Sequence, residues 1–184
     1  DDRDLSFDLQ VPLMSLPLAF GTQLGTIPAA IPYLSAEPDL VAAWRERIGE
    51  GGFRIGVCWQ GSNRDIDKGR SFPLAALERL SHLPGVRLIG LHKGAGEEQL
   101  GALPAGMRVE TFGEVDAGED AFVDSAAIIA GCDLVISCDT AIAPLAGALG
   151  IRTWIPRKHV ADWRWMLDRS DSPWYLMPGL FRQP

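Results

Sequence analysis

Three stretches of the chain gather side chains able to hold an anion or a ligand hydroxyl. The first runs from Gln60 to Pro73 and mixes Gly61, Ser62 and Ser71 with Arg64, Lys68 and Arg70. Ser71 is placed to cap a following helix, with Pro73 in its first turn, and a helix start flanked by Lys68 and Arg70 suits phosphate. The same residues also read as a solvated loop whose cations are offset by Asp65 and Asp67. The second stretch is Leu91-His92-Lys93-Gly94-Ala95-Gly96, where a lysine at a strand end can reach into a crevice. Its Gly94-x-Gly96 pattern falls short of a dinucleotide fingerprint, because Gln99 stands where the third glycine belongs, and both glycines serve equally as turn residues. The third is Asp139-Thr140-Ala141, between an apolar run and a helix of small residues. Thr140 can cap that helix and Asp139 can accept from amides or ligand hydroxyls, or the two are simply a capping pair.

The elements around these stretches follow from hydrophobic patterning. Five short apolar runs, Phe53–Trp59, Val86–Leu91, Met107–Phe112, Asp133–Cys138 and Arg152–Ile155, read as strands. Helical spacing lies between and after them, over Pro73–Leu83, Gly96–Leu103, Asp120–Ala130, Ala141–Leu149 and about Ala161–Asp168. Strands alternating with helices predict a doubly wound parallel sheet, and the lack of strict alternation within each run fits strands covered on both faces. Ligands of such sheets bind beyond the C-terminal strand ends, where all three stretches fall. Residues 1–52 differ in texture. Five of the thirteen prolines lie before residue 40, which predicts an extended segment apolar enough to lie against something. Asp39–Ile48 follows as a short helix.

The chain carries a net charge of −7, with eight acids against three bases in residues 1–52. This balance provides no basic stripe for DNA or RNA, so nucleic acid is not an expected partner. No apolar run reaches membrane-spanning length and no export signal precedes the domain, which leads to an expected cytoplasmic location. Cys58, Cys132 and Cys138 sit inside apolar runs and read as buried free thiols; neither they nor the scattered histidines cluster as metal ligands. Because it begins Asp1-Asp2-Arg3 and not with Met, the sequence is expected to be a piece of a longer chain. The tail tryptophans 154, 163, 165 and 174, interleaved with Arg157, Lys158, Arg164 and Arg169, read first as anchors pinning a tail helix, with stacking on a sugar or nucleotide as the alternative.

Several motifs in fixed order, "RIGVCWQGS", "GRSFPL", "LIGLHKG", "DLVISCDTAIAPLAGALG" and "DWRWMLDRSDSPWY" with "LFRQ", resemble the nucleotide-sugar-binding half of GT-B glycosyltransferases. The likeness is to heptosyltransferase-like (glycosyltransferase family 9) domains at the C-terminus of bacterial tetratricopeptide-repeat proteins. It also takes in "FDLQVPLMSLPLAFGT" and "IPAAIPYL" at the start. The resemblance implies a Rossmann-like α/β domain over 53–184, with 1–52 as the end of an N-terminal domain and the interdomain segment. It implies a nucleotide diphosphate sugar as donor and no metal or other cofactor. Gly61, Ser62, Lys68, Arg70 and Ser71 match the loop near the phosphates, Lys93 the nucleotide-side strand end, and Asp139, Thr140 and Ala141 the diphosphate motif. The resemblance further implies that the catalytic base belongs to the other Rossmann domain, expected outside these residues together with the repeats, so no catalytic residue is assigned. Relatives place a histidine where this chain has Pro144, which opens the alternative of a degenerate nucleotide-sugar-binding or scaffold module.

Overall fold

The structure is a computed structural model that describes residues 8–61, 69–118, 120–160, 162–167, 169–175 and 179–182. Among them a five-stranded, all-parallel sheet is built from β1 (Phe53–Cys58), β2 (Val86–Gly90), β3 (Leu134–Ser137), β4 (Thr153–Arg157) and β5 (Leu180–Arg182), in the order β2-β1-β3-β4-β5. The helices are α1 (Leu16–Ala19), α2 (Pro38–Ile48), α3 (Glu78–Ser81), α4 (Val123–Ala130) and α5 (Ile142–Ala148).

The strands are apolar on both faces because both faces are covered. On one, Ile55, Val57 and Trp59 pack with Leu74, Leu77, Leu88, Leu134 and Ile136. On the other, Cys58, Ile89 and Val135 meet Ile128 and Ile129 of α4, Ala146 of α5 and Trp44 of α2. Each fully buried aliphatic side chain contributes about 1.5–3 kcal/mol, so these two layers hold the sheet. Gly56 faces the second layer, where a Cβ would stand 2.7 Å from Leu91 Cδ1 and 3.2 Å from Cys132 Sγ. All three cysteines are buried and unpaired by disulfide.

Helix α2 starts with proline at its first position and ends at Gly49, whose φ of 78° stops it. It docks through Trp44, whose indole N–H donates to Asp124 Oδ1 of α4 at 2.8 Å. Helix α4 is capped by a carboxylate from the loop before it. Asp116 Oδ1 accepts the amides of Asp124 and Ser125 at 2.9 and 3.3 Å, while Asp124 Oδ2 accepts the Asp116 amide at 2.8 Å.

Several expectations are corrected. Met107–Phe112 makes one parallel bridge, Glu110 to Ile89, in place of a strand. Its neighbour β2 continues there only through Gly90 N–H to Glu110 O and Glu110 N–H to Leu88 O. The helix expected over Pro73–Leu83 is a 3-10 turn, Leu74–Leu77, running into the four residues of α3. Gly96–Leu103 forms a 3-10 stretch at Glu97–Ala102, and the tail helix is reduced to a 3-10 turn at Trp163–Trp165. Strand β5 is three residues long, too short for patterning to reveal, and is held by pairing of Leu180 with Ile155. The proline-rich segment is anchored near its end, where Tyr33 and Leu34 amides donate to Ala148 O. Leu9, Leu13, Met14, Leu18 and Phe20 are exposed, so this part of the chain does not supply the surface they were expected to lie against.

Candidate functional site

Strand order places the site. The chain runs from β1 outward to β2 and then crosses to β3 on the other side, so the switch point lies between the C-terminal ends of β1 and β3. There the two outgoing loops diverge and leave a crevice. Two adjoining cavities occupy it. One, of about 540 Å³, is lined by Cys58, Gln60 and Gly61 after β1, His92 and Lys93 after β2, and Phe122, Thr140 and Ile142 among others. The second, of about 470 Å³, is lined by Gly61, Arg70, Asp139, Thr140, Ala141, Pro144 and Arg164. Gly61, Thr140 and Ala141 belong to both and mark their junction.

Of the expected site residues, Gly61, Arg70, Lys93, Asp139, Thr140 and Ala141 therefore converge on the crevice. Ser62 and Lys68 lie outside the described residues. Ser71 takes a different part from the one expected. It does not cap the following turn, which has Pro73 at its cap position and no side-chain bond there. Its Oγ accepts the Gly61 amide at 3.1 Å, closing the loop on itself. The next free amide, that of Leu74, is taken by Gln99 Oε1 at 2.8 Å, so this turn offers no open anion site there.

Thr140 likewise does not cap α5 with its side chain. The N-cap is Ala141, and the Thr140 hydroxyl instead lies 3.3 Å from Ser137 Oγ and 3.6 Å from Cys58 Sγ. The amides of Ala141 and Ile142 precede any intrahelical acceptor and face this end of α5. Asp139, 5% exposed, has Arg164 Nη2 at 3.5 Å from Oδ1.

Arg164 is the site residue that sequence reasoning placed elsewhere, among the cations of the tail. Contacts within the tail itself set its position. Arg164 Nε donates to Asp162 Oδ1 at 2.8 Å, its guanidinium lies 5.7 Å from the Trp165 ring, and its carbonyl accepts from Trp174 Nε1 at 3.1 Å. Burial pushes the Asp162 carboxyl up, but the amide and guanidinium of Arg164 outweigh it and hold the group below its usual range. Behind this turn, Arg157 at the end of β4 donates to the carbonyls of Trp165 at 3.0 Å and Arg169 at 2.6 Å. Arg182 of β5 donates to those of Met166 and Leu167. The tail tryptophans divide in role. Trp165 is buried as an anchor, whereas Trp163 is exposed and meets Trp174 edge to face at 6.0 Å.

Behind Gln60 of the larger cavity, Gly96 has φ +106°, and a Cβ there would stand 2.8–2.9 Å from the Gln60 side chain. Its carbonyl accepts from Trp59 Nε1 at 3.0 Å, and Trp59 in turn packs against His92 with ring centroids 4.3 Å apart and planes tilted by 31°. Among the described residues no three His, Cys, Asp or Glu side chains converge as a metal site. No helix among them is long and apolar enough to cross a membrane.

No family-wide sequence model matches the chain. Protein FlbA of Caulobacter vibrioides is 30% identical over 149 residues, which cover 78% of this chain and 24% of FlbA. Among solved structures, E. coli ADP-heptose lps heptosyltransferase II superposes with a TM-score of 0.56 at 17% identity, covering 74% of this chain and 43% of that one. A glycosyl transferase family 9 protein from Veillonella parvula gives 0.58 at 12% identity, covering 86% and 45%. The chain thus spans about a quarter of the curated relative and under half of these two transferases. Its five-stranded parallel sheet, with the two cavities at the β1/β3 switch point, has the Rossmann-like α/β fold of GT-B glycosyltransferases.

Proposed function

We propose that this chain is the donor-binding part of a glycosyltransferase and takes a nucleotide diphosphate sugar without a metal. The observation that carries the reading is the pair of cavities meeting at Gly61, Thr140 and Ala141. The larger, with apolar walls at Phe122 and Ile142, receives the nucleoside. The smaller receives the diphosphate and sugar between Arg70, Arg164 and the first amides of α5, with Asp139 accepting from sugar hydroxyls. Cations and amides already aimed at the diphosphate stabilise the charge that develops on it as the glycosidic bond breaks. The likeness in fold to an ADP-heptose transferase supports the same donor class. In the longer protein, a second Rossmann domain supplies the acceptor site and base, tetratricopeptide repeats precede it, and transfer to a hydroxyl or lipid-linked acceptor proceeds in the cytoplasm.

Calorimetry with ADP, UDP and GDP and their sugars tests this. At least one is expected to bind, with affinity reduced about tenfold or more by Asp139→Asn or Arg164→Gln, as for loss of a charge-assisted hydrogen bond. Absence of binding by all of them at millimolar concentration sinks the reading. A second reading, a degenerate binding or scaffold module, is favoured by Pro144, which stands on the rim with no proton or hydrogen bond to give. Binding without turnover by the longer protein, together with a gain in affinity with Pro144→His, would select it; an unchanged affinity would count against it.

A further inference from the structure

Donor binding leaves unexplained a group of reactive side chains at the floor of the larger cavity. Cys58 ends β1, is 4% exposed, and lines that cavity. Its Sγ lies 3.8 Å from His92 Nδ1 and 3.6 Å from Thr140 Oγ1. The other imidazole nitrogen, Nε2, is 2.6 Å from the carbonyl of Ala95. A carbonyl only accepts, so Nε2 carries the hydrogen, and in the neutral ring Nδ1 is a bare acceptor facing the sulfur. The ring packs against Trp59, whose plane is tilted 31° to it. A nucleophile, a base within reach, and a third group that orients the base make up the arrangement that activates a thiol.

The surrounding charges act in the same direction. A hydrogen bond from the Cys138 thiol holds Cys58 well below the ordinary thiol range; burial opposes it, and His92 and Thr140 assist. Burial pushes His92 down, but the hydrogen bond and charge of Cys58, with Ala95 O and Glu97, carry it above its usual value. The same hydrogen bond with Cys58, together with burial, raises Cys138, against which Thr140 and then Arg70 act. Cys132, by contrast, is pushed up to about 12 by burial.

We propose that Cys58 is a site of oxidative modification, a thiol paired with His92 that hydrogen peroxide entering the cavity converts to a sulfenic acid. The Cys58 proton resides on His92 Nδ1 while the thiolate attacks one peroxide oxygen. The O–O bond breaks, an S–O bond forms, and the departing hydroxide takes the proton from His92 to leave as water. Sulfur is oxidised by two electrons and the peroxide is reduced by two. The added oxygen then occupies the cavity floor beside Thr140 and Gly61.

The test treats the folded chain with hydrogen peroxide, traps sulfenic acid with dimedone, and maps the three cysteines by mass spectrometry. The expected result is a Cys58 adduct forming at least about tenfold faster than any at Cys132, as thiolate availability dictates. His92→Gln is expected to slow it by a similar factor. For the unsubstituted chain, the rate is expected to rise with pH to a midpoint below the ordinary thiol value, which keeps the test informative should that variant fail to fold. No adduct at Cys58 in the folded chain, or a midpoint at the ordinary thiol value, overturns the proposal and leaves the donor reading standing.

Discussion

The Lys93 ammonium donates to the main-chain carbonyl of Asp116 at 2.8 Å and to that of Val115 at 3.1 Å. The lysine at the end of β2 thus ties down the loop that walls the larger cavity, and that loop in turn caps α4. Lys93→Ala is expected to cost about 1 kcal/mol, the worth of exposed hydrogen bonds. Thermal midpoint and nucleotide affinity should fall together. A loss of affinity with an unchanged midpoint would mean that the ammonium acts on the ligand directly.

Asp116 is the other half of that tie. Its carboxylate accepts two α4 amides and the Ser125 hydroxyl, so Asp116→Ala removes the cap at a cost of about 1–2 kcal/mol. Urea unfolding measures the loss, and hydrogen exchange should quicken first at the Asp124 and Ser125 amides. Unchanged protection there would show that water replaces the carboxylate without penalty.

Gly96 combines a left-handed backbone with close contact to Gln60. Gly96→Ala must move Gln60 or the Trp59–Gly96 hydrogen bond, at about 1–3 kcal/mol for overpacking. The near-ultraviolet dichroism of Trp59 should change with it. A variant as stable as the parent, with that signal intact, would show that the wall gives way more easily than its geometry implies.

Acid separates Asp162 from an ordinary surface carboxylate. Its folded value lies below the unfolded one of about 3.9, so its contribution is fully present above that pH and is lost as pH falls through the folded value. Asp162→Asn should therefore be less stable than the parent at neutral pH, with the gap narrowing in strong acid. Denaturant midpoints at both pH values check this; a gap independent of pH would assign the effect to packing.

The sequence by itself determined the class of fold and the three loops that face the crevice. Four of the five apolar runs became strands, because branched residues such as Ile55, Val57, Val135 and Ile136 are buried on both sides of the sheet and leave their mark without alternation. The fifth, Met107–Phe112, has only three apolar residues in six and is held at a single bridge. Gly61, Thr140 and Ala141 could be placed at strand ends from patterning, since a strand-to-helix junction is a local event.

Tertiary structure decided what those residues meet. Ser71 closes on Gly61 and leaves its expected capping role to no side chain, because the turn after it starts later than its local signal suggests. Arg164 reaches Asp139 only because Arg157 and Arg182, from two different strands, fold the tail back over the sheet. Cys58, His92 and Thr140 come from three strand ends and meet because the chain order places β1 between β2 and β3. Local patterning reports which face a residue buries, whereas partners far apart in sequence are set by strand order and by where each loop is tied.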